Sequence, residues 1–187
     1  MPVSVIEQQE SRQRRATQQI SLRALEPEDD VLLYRWENDP SAWEVSDRRW
    51  PISLSDIKDF IAHSDLDLWH TRQMRLMIVQ RSDCKAVGCV DLFGFDPQNL
   101  FCSVGIFIEP ASRRKGYGTE AIGEICRMAF RTFGVHTVIA TVEESNVASR
   151  AMLQATGFIE TGRRVGCIRH ADTFADEIVM QLFDSKR

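Results

Sequence analysis

The chain has 187 residues, of which 43% are hydrophobic and 27% charged, a composition typical of a single soluble globular domain. At this length one core buries roughly 70% of the surface that the unfolded chain exposes, so the fold requires neither disulfides nor a metal. The 23 basic and 27 acidic side chains give a net charge of -4, which argues against a nucleic-acid partner.

No apolar run reaches the roughly 18 residues of a membrane-spanning helix, and the first residues lack the apolar centre of a signal peptide. We therefore expect a cytoplasmic protein without a membrane partner. The five cysteines are odd in number and show no C-x-x-C spacing, so the sequence predicts neither a disulfide framework nor a zinc site. We expect all of them to be buried, inert thiols. They are Cys84, Cys89, Cys102, Cys126 and Cys167.

The sequence divides into a polar extension and one domain. Residues 1–19 are rich in Gln, Arg, Glu and Ser, a composition that cannot offset the entropy cost of ordering. We predict a flexible or weakly docked extension there and a single domain over residues 20–187, which contain no internal repeat. The domain begins with a short predicted strand at Ile20, Leu22 and Leu25.

Two helices are predicted after this strand. Acidic residues 28–30 mark the start of the first helix, and the segment 38–41 ends it. Ser53 or Ser55 caps the second helix, whose apolar residues share one face.

The remaining elements predict an α+β fold. Short polar turns separate three predicted strands, which favours antiparallel neighbours: Met74–Gln80, Ala86–Phe95 and Phe101–Ile108. The pattern then becomes a long helix that Gly134 ends, a strand over Thr137–Val142, a helix over Asn146–Thr156, and two final strands around residues 169–172. The strand–helix–strand order from Phe101 to Val142 predicts a parallel crossover.

The clearest chemical signal is the loop between the third of these strands and the long helix. Three consecutive cations, Arg113, Arg114 and Lys115, precede Gly116 and Gly118 at the helix start. Glycines there let the backbone approach a ligand closely, and the free N–H groups of a first helical turn favour an anion. The loop therefore predicts a phosphate site, with a solvated basic loop as the alternative.

Two other phosphate motifs fit poorly. The sequence has no G-x-x-x-x-G-K-[ST] run, which excludes an ATP-binding P-loop. Gly116, Gly118 and Ala121 satisfy a relaxed dinucleotide-binding pattern, but that pattern follows its strand at once and opens a doubly wound sheet. Here about seven residues intervene. A nicotinamide-dependent enzyme is therefore disfavoured.

The same residues resemble a known family. Arg113-x-x-Gly116-x-Gly118 is similar to the pyrophosphate loop of the GNAT superfamily of N-acetyltransferases, and the continuation to Ala121 resembles its RimJ/RimL and spermidine N-acetyltransferase branches. Asn146-x-x-Ser149, with the later Gly157–Phe158, resembles a second signature. Leu22–Asp29 and Trp36–Pro40 resemble the opening of that branch, so the likeness spans roughly Leu22 to Leu182.

The resemblance implies a three-layer α/β/α fold. It implies a mixed, twisted sheet of about seven strands with four helices, splayed between the fourth and fifth strands. Acetyl-CoA would lie in that cleft as co-substrate, with its pantetheine arm paired to a strand like an added neighbour. The residues expected to bind it are Ile106, Phe107, Ile108, Arg113, Arg114, Lys115, Gly116, Tyr117, Gly118, Thr119 and Asn146.

The chemistry implied is direct attack of an amine on the thioester. Backbone N–H groups around Phe107 and Ile108 are expected to polarise the carbonyl, and Ser149 to protonate the departing sulfur. A helix-start hydroxyl bonded to nearby backbone is the alternative for Ser149. The family's usual tyrosine acid is replaced by Leu153 and its usual glutamate base by Ser103. Both departures put the common acid and base in doubt.

Glu37 and Asp91 are therefore the candidate bases, acting directly or through water, with structural roles as the alternative for each. The four histidines lie at predicted element ends or loops and form no paired motif, so no metal is expected. The tryptophans of the N-terminal third either line an acceptor groove or pack in the core. They are Trp36, Trp43, Trp50 and Trp69.

The acceptor is expected to be an amine. Acidic residues spread over the acceptor half favour a cationic polyamine or another small amine, although a solvated charged face gives the same pattern. These residues are Glu37, Asp39, Glu44, Asp47, Asp91 and Asp96. A protein N-terminal acetyltransferase is the nearest alternative, and a non-catalytic acetyl-CoA sensor is an alternative of another class. A final strand or hairpin left exposed would allow a homo-oligomer.

Overall fold

A computed structural model describes residues 18–40, 50–64, 67–170 and 172–184. These residues form one seven-stranded sheet with strand order β1-β2-β3-β4-β5-β7-β6. The strands are β1 (Ile20–Arg23), β2 (Met74–Gln80), β3 (Ala86–Asp96), β4 (Phe101–Ile108), β5 (Thr137–Glu143), β6 (Ile159–His170) and β7 (Thr173–Phe183). The seven predicted strands are thus confirmed, several of them to within a residue.

The described residues also form five α-helices and two 3-10 turns. The helices are α1 (Asp30–Glu37), α2 (Leu54–Ala62), α3 (Leu68–Thr71), α4 (Tyr117–Thr132) and α5 (Val147–Ala155), and the turns are Pro27–Asp29 and Pro110–Ser112. The sequence predicted four of the helices and missed α3. That helix is a single turn capped by the side chain of Asp67, which is too short for a periodic pattern.

A side-chain cap begins α2 where the sequence predicts it. Ser53 is the cap of α2: its hydroxyl accepts from the N–H of Asp56, and the Asp56 carboxylate accepts from the N–H of Ser53. This reciprocal pair is a capping box, which satisfies two otherwise free donors. Ser55 lies inside the helix instead.

Strand pairing confirms the predicted crossover. Five of the strand pairs are antiparallel: β1–β2, β2–β3, β3–β4, β5–β7 and β6–β7. β4 and β5 are the parallel pair, connected through α4. The sheet is therefore mixed, with its parallel step in the centre.

Helices cover both faces of the sheet, which confirms three layers. On one face, Cys102 and Val104 of β4 pack with Ile122 and Ile125 of α4. On the other face, a smaller apolar cluster joins the first two helices to the sheet. Its buried members are Leu33, Trp36, Ile57, Met77, Val79 and Cys89. The smaller cluster fixes α1 and α2 over the β2–β4 half of the sheet.

The expectation that all five cysteines are buried is wrong for two of them. Cys89, Cys102 and Cys126 are buried, but Cys84 and Cys167 are exposed. Cys84 lies in the turn between β2 and β3, at a positive φ of 57°, and Cys167 lies on β6 at the edge of the sheet. Neither side chain packs against the hydrophobic core. No disulfide joins any of the five.

The end of the predicted extension is docked on the domain. Residues 1–17 lie outside the described residues, but the backbone N–H of Gln19 donates to the Glu120 carboxylate of α4 at 3.2 Å, and Arg81 donates to Gln19 O at 2.9 Å. Among the described helices, none has the length and apolar character needed to cross a bilayer.

Candidate active site

A cleft opens where β4 and β5 separate. The two strands pair through Phe101↔Thr137, Cys102↔Val138 and Ser103↔Ile139, and their pairing stops there. β4 continues to Ile108 and β5 to Glu143, so the two walls of this β4–β5 cleft are Val104–Ile108 and Ala140–Glu143. Within the described ranges, the first wall is paired on its β3 side alone. The splay predicted between the fourth and fifth strands is confirmed.

The loop after β4 leads into a helix start without a side-chain cap. Arg114 and Gly116 have positive φ angles of 63° and 85°, and Gly116 is the N-cap of α4 without a side-chain cap. The first backbone bond of the helix runs from Glu120 N to Gly116 O. The N–H groups of Tyr117–Thr119 therefore have no acceptor in the part of the chain that the structure describes. A helix N-terminus of this kind attracts phosphate through these donors and through the helix dipole.

Cations surround this helix start. The Arg113 Nε donates to Ile108 O at 3.0 Å, which ties the loop to the end of β4. The side chains of Arg114 and Lys115 are exposed and form no ion pair with any described residue. Both charges remain available to an anionic ligand.

Gly118 lets α4 lie close to the cleft. A Cβ at this position would come within 2.8 Å of the Met152 Sδ on α5, and within 3.8 Å of side-chain carbons of Ile106 and Ile108. A side chain at this position would displace the flexible end of Met152, so the glycine favours the close approach of α4 and α5.

Tyr117 contributes its backbone and its side chain to different parts of the structure. Its side chain is buried in the core between α4 and the sheet, where the hydroxyl donates to Gln80 Oε1 on β2 at 2.6 Å. The aromatic ring therefore anchors the helix to the sheet, and the backbone N–H is the part of Tyr117 that the loop presents.

The start of α5 brings Asn146 and Ser149 together beside β5. Asn146 Oδ1 accepts from the backbone N–H of Ser149 at 3.1 Å, so Asn146 is the N-cap of the helix and its amide nitrogen is the part left for a ligand. The half-buried Ser149 hydroxyl has no hydrogen bond to a described residue. It therefore does not satisfy nearby backbone. Leu153 is buried in the main core.

Glu37 and Asp91 share one arginine. Arg75 on β2 donates to Asp91 from Nε at 2.6 Å and from Nη2 at 3.2 Å, and to Glu37 from Nη1 at 2.6 Å. Its guanidinium also lies over the ring of Phe60, 5.2 Å from the centroid. These contacts hold Glu37 and Asp91 in an ion-pair network, which favours the structural alternative for each over the role of base.

Sequence reasoning missed Arg75. Its signal is the run Met74–Val79, in which Arg75 is the single charged residue among apolar ones. A charge inside a central strand requires a partner, which the register supplies by placing Arg75 opposite Asp91.

Asp91 also faces the cleft. Its register partner on β4 is Gly105, and a Cβ on that glycine would lie 4.0 Å from Asp91 Oδ2. Burial, the largest effect, raises the pKa of Asp91, although the charge and hydrogen bond of Arg75 oppose the rise. The Asp91 carboxylate thus lies next to Gly105, which has no side chain and directly follows the part of β4 where pairing with β5 has ended.

The other acidic residues and the tryptophans that the sequence assigned to the acceptor half lie in different parts of the structure. Asp96 caps the turn between β3 and β4, at the end of the sheet opposite the cleft, so it is not part of the acceptor side. Trp36 is buried and its ring lies 5.4 Å from that of Phe107, whereas Trp50 is exposed and Trp69 packs edge-on against Phe95. Trp43, Glu44 and Asp47 lie outside the described residues.

Comparisons with known proteins agree with this geometry. Residues 19–159 match the acetyltransferase (GNAT) domain family. The uncharacterized N-acetyltransferase YnaD of Bacillus subtilis is 21% identical over 91% of this chain and 96% of its own length. The uncharacterized N-acetyltransferase p20 of Bacillus licheniformis is 24% identical over 78% of this chain and 82% of its own length.

Solved structures share the fold. A crystal structure of spermidine N-acetyltransferase from Vibrio cholerae in complex with CoA and spermine has a TM-score of 0.80 at 20% identity, covering 90% of this chain and 97% of that chain. A dodecameric structure of the Vibrio cholerae enzyme in an intermediate state has a TM-score of 0.75 at 20% identity, covering 90% of this chain and 95% of that chain.

Proposed function

Since the chain belongs to the GNAT acetyltransferase family and is therefore an acyltransferase, we propose that it moves the acetyl group of acetyl-CoA to a polyamine or another small primary amine. The observation that carries this proposal is the β4–β5 cleft, which has an anion-binding helix start at one side and carboxylates at the other. The first feature suits the phosphates of CoA, and the second suits a cationic amine.

The described residues fit acetyl-CoA. The free N–H groups of Tyr117–Thr119 and the cations Arg113–Lys115 suit its pyrophosphate, and the unpaired side of Ile106–Ile108 suits an extended pantetheine arm. The Asn146 amide lies across the cleft from that strand. Acetyl-CoA supplies an activated thioester, so the enzyme requires no covalent nucleophile.

Two groups of this chain assist the transfer. The backbone N–H groups around Phe107 and Ile108 that face the cleft donate to the carbonyl oxygen as it gains negative charge. The Ser149 hydroxyl, which has no partner among the described residues, donates a proton to the departing sulfur. Both groups belong to rigid elements bordering the cleft.

The acceptor proposal depends on the Glu37–Arg75–Asp91 network. Two carboxylates bond one guanidinium, so the network carries one net negative charge when all three groups are ionised. It lies on the sheet face that α1 and α2 cover, next to Gly105. Such a charge attracts an ammonium group to the cleft. The fold shared with spermidine N-acetyltransferase supports the same acceptor class.

The test measures thiol release from acetyl-CoA with spermidine, spermine, simple diamines and short peptides offered separately. The proposal predicts release that depends on a polyamine or diamine, with kcat/KM highest for one of them. Preference for the peptides would instead assign a protein N-terminal acetyltransferase.

We further propose that the protein forms a homo-oligomer through β6. This strand ends the sheet, and nearly all of its residues are exposed, including Val165 at 80%. A long unpaired strand edge pairs readily with a second copy. The dodecameric state of the Vibrio cholerae enzyme supports an assembly. Light scattering should give a mass above the 21.4 kDa of one chain; a monomer at micromolar concentration would contradict the proposal.

A further inference from the structure

The β6–β7 hairpin bends over the end of β5. Its tip brings His170 Nε2 to 2.6 Å from Glu143 Oε2, and the Ser145 hydroxyl donates to the other oxygen of Glu143. The bend comes from a register shift between Arg164 and Ile168, where Gly166 adopts a φ of 61°. The hairpin is thus tied to the last residue of β5.

The His170–Glu143 pair lies on the cleft wall opposite Asp91. Pairing between β4 and β5 ends at Ser103↔Ile139, so the alternation of the strands places Glu143 level with Phe107 on the opposite wall. Its side chain points to the same sheet face as Asp91 and Gly105. The backbone N–H of Asn146 donates to Glu143 O at 2.9 Å, so the start of α5 adjoins the pair.

The transfer requires a group that accepts a proton from the amine. Asp91 is poorly suited, because both of its oxygens are bonded to Arg75 and a proton there would break a buried ion pair. Neither Ser103 on β4 nor Leu153 on α5 has a side chain that accepts a proton near neutral pH. Histidine is the side chain that ordinarily changes charge near neutral pH, which suits a general base.

We propose that His170 accepts the proton of the acceptor amine and that Glu143 is its positioning residue, an inference that rests on the proposed acetyltransferase function. The Glu143 carboxylate accepts the N–H of His170 Nε2, which leaves Nδ1 with a free lone pair. The hydrogen bonds of Ser145 and then His170 hold the pKa of Glu143 below its ordinary value, although burial opposes them, so it remains a carboxylate.

The proton balance is complete. One N–H bond of the ammonium group breaks as an N–H bond to His170 Nδ1 forms, and the freed lone pair forms the C–N bond of the product while the C–S bond breaks. The amine nitrogen then loses its second proton to solvent, and Ser149, which has given its proton to the departing sulfur, takes one back from solvent. His170 releases its proton to solvent before the next turnover.

Other charges at the hairpin end pair among themselves. Glu144 and Asp176 both bond Arg163, and Glu177 bonds Arg164. Arg169 and Asp172 are chain neighbours of His170. Among the described residues, the His170 ring forms its ion pair with Glu143.

The experiment compares His170→Gln and Glu143→Gln with His136→Gln. His136 lies at the start of β5, at the opposite end of the strand, and serves as the matched control. We expect His170→Gln to lower kcat/KM for the best amine about 100-fold at pH 7 and to remove the neutral-pH limb of the pH profile. CoA affinity should stay unchanged in all three variants, the melting temperature should fall only slightly where the partly exposed His170–Glu143 pair is lost, and His136→Gln should retain wild-type turnover.

A second variant separates catalysis from structure. Imidazole added to His170→Ala should restore part of the lost kcat, which a purely structural role would not allow. Glu143→Gln should shift the neutral-pH limb and have no further effect when combined with His170→Gln. A wild-type pH profile in His170→Gln, or a loss that imidazole does not restore, overturns the inference while the acetyltransferase function stands. If the wild-type protein transfers no acetyl group to any amine, the proposed function itself fails.

Discussion

Arg75 bonds Asp91 through two of its nitrogens, at 2.6 and 3.2 Å, and thereby joins β2 to β3 beside the β4 wall of the cleft. The same guanidinium reaches Glu37 on α1, so one side chain connects the sheet, the first helix and the wall of the site. We therefore expect removal of Arg75 to affect stability and, under the proposed function, amine recognition.

Arg75→Met should lower the free energy of unfolding by about 3–5 kcal/mol at pH 7, because two carboxylates lose their countercharge. Burial already raises the pKa of Asp91, and loss of Arg75 raises it further. The folded variant therefore binds protons more readily than its unfolded chain, and its deficit shrinks as the pH falls toward about 4. Urea unfolding at the two pH values measures this, and a pH-independent deficit would contradict it.

Gly116→Val should weaken CoA binding roughly tenfold, because a β-branched residue at a φ of 85° costs about 1–2 kcal/mol and displaces the N–H donors. Gly123→Ala on the same helix is the matched control, since a Cβ there meets nothing within 4 Å. Calorimetric titration with CoA compares the two variants. Equal affinities would show that the anion site lies elsewhere.

Arg113→Ala tests the same loop through charge. The Nε of Arg113 holds Ile108 O, so its loss should weaken CoA binding and make the remaining affinity less sensitive to salt. Titration with CoA at low and high ionic strength gives both quantities. An unchanged affinity and salt dependence would remove Arg113 from the phosphate site.

Much of this loop was predictable. The cations, the glycine spacing and the following helix are all local features, and the structure has Gly116 as the cap and α4 directly behind it. Side-chain directions were not predictable. Tyr117 turns toward Gln80 and Asn146 toward its own helix, because each satisfies a tertiary or capping contact that the sequence alone does not reveal.

Long-range pairs were the least predictable features. Arg75 meets Glu37 across a sequence separation of 38 residues, and His170 meets Glu143 only because a register shift bends the hairpin. Strand boundaries follow from alternation and turns, whereas these pairs depend on how the whole sheet twists. The sequence therefore predicted Glu37 and Asp91 as acidic groups and missed the cation between them.

Ser149→Ala should lower kcat by about tenfold or more while leaving stability unchanged, because the hydroxyl forms no hydrogen bond to the described residues. The cap of α5 survives, since Asn146 bonds the backbone of Ser149 and not its side chain. Steady-state kinetics and thermal melting should be measured together. Equal kcat in variant and parent would exclude Ser149 as the proton donor.

Asp29→Asn should lower stability by about 1–3 kcal/mol at pH 7. The Asp29 carboxylate accepts from Arg23 at 2.6 and 2.7 Å and from the N–H of Glu26 at 2.8 Å. Burial acts to raise the pKa of Asp29, but these bonds outweigh it and hold the pKa below its ordinary value. The unfolded chain therefore takes up this proton at a higher pH than the folded one.

The stabilisation by Asp29 is accordingly complete above the ordinary carboxyl range and is lost as the pH falls through it. Denaturant unfolding of parent and variant between about pH 7 and pH 3 should show their difference narrowing toward acid. A difference that grows with acid would contradict this reading of the Arg23–Asp29 pair.

The most direct test of the central claim is a competition in one reaction. Spermidine and a short peptide with a free N-terminus are mixed at equal concentration with acetyl-CoA and the enzyme, and mass spectrometry identifies which amine gains the acetyl group. The account predicts acetylated spermidine, formed in step with free CoA. Acetylation of the peptide alone, or CoA release without any acetylated amine, would contradict it.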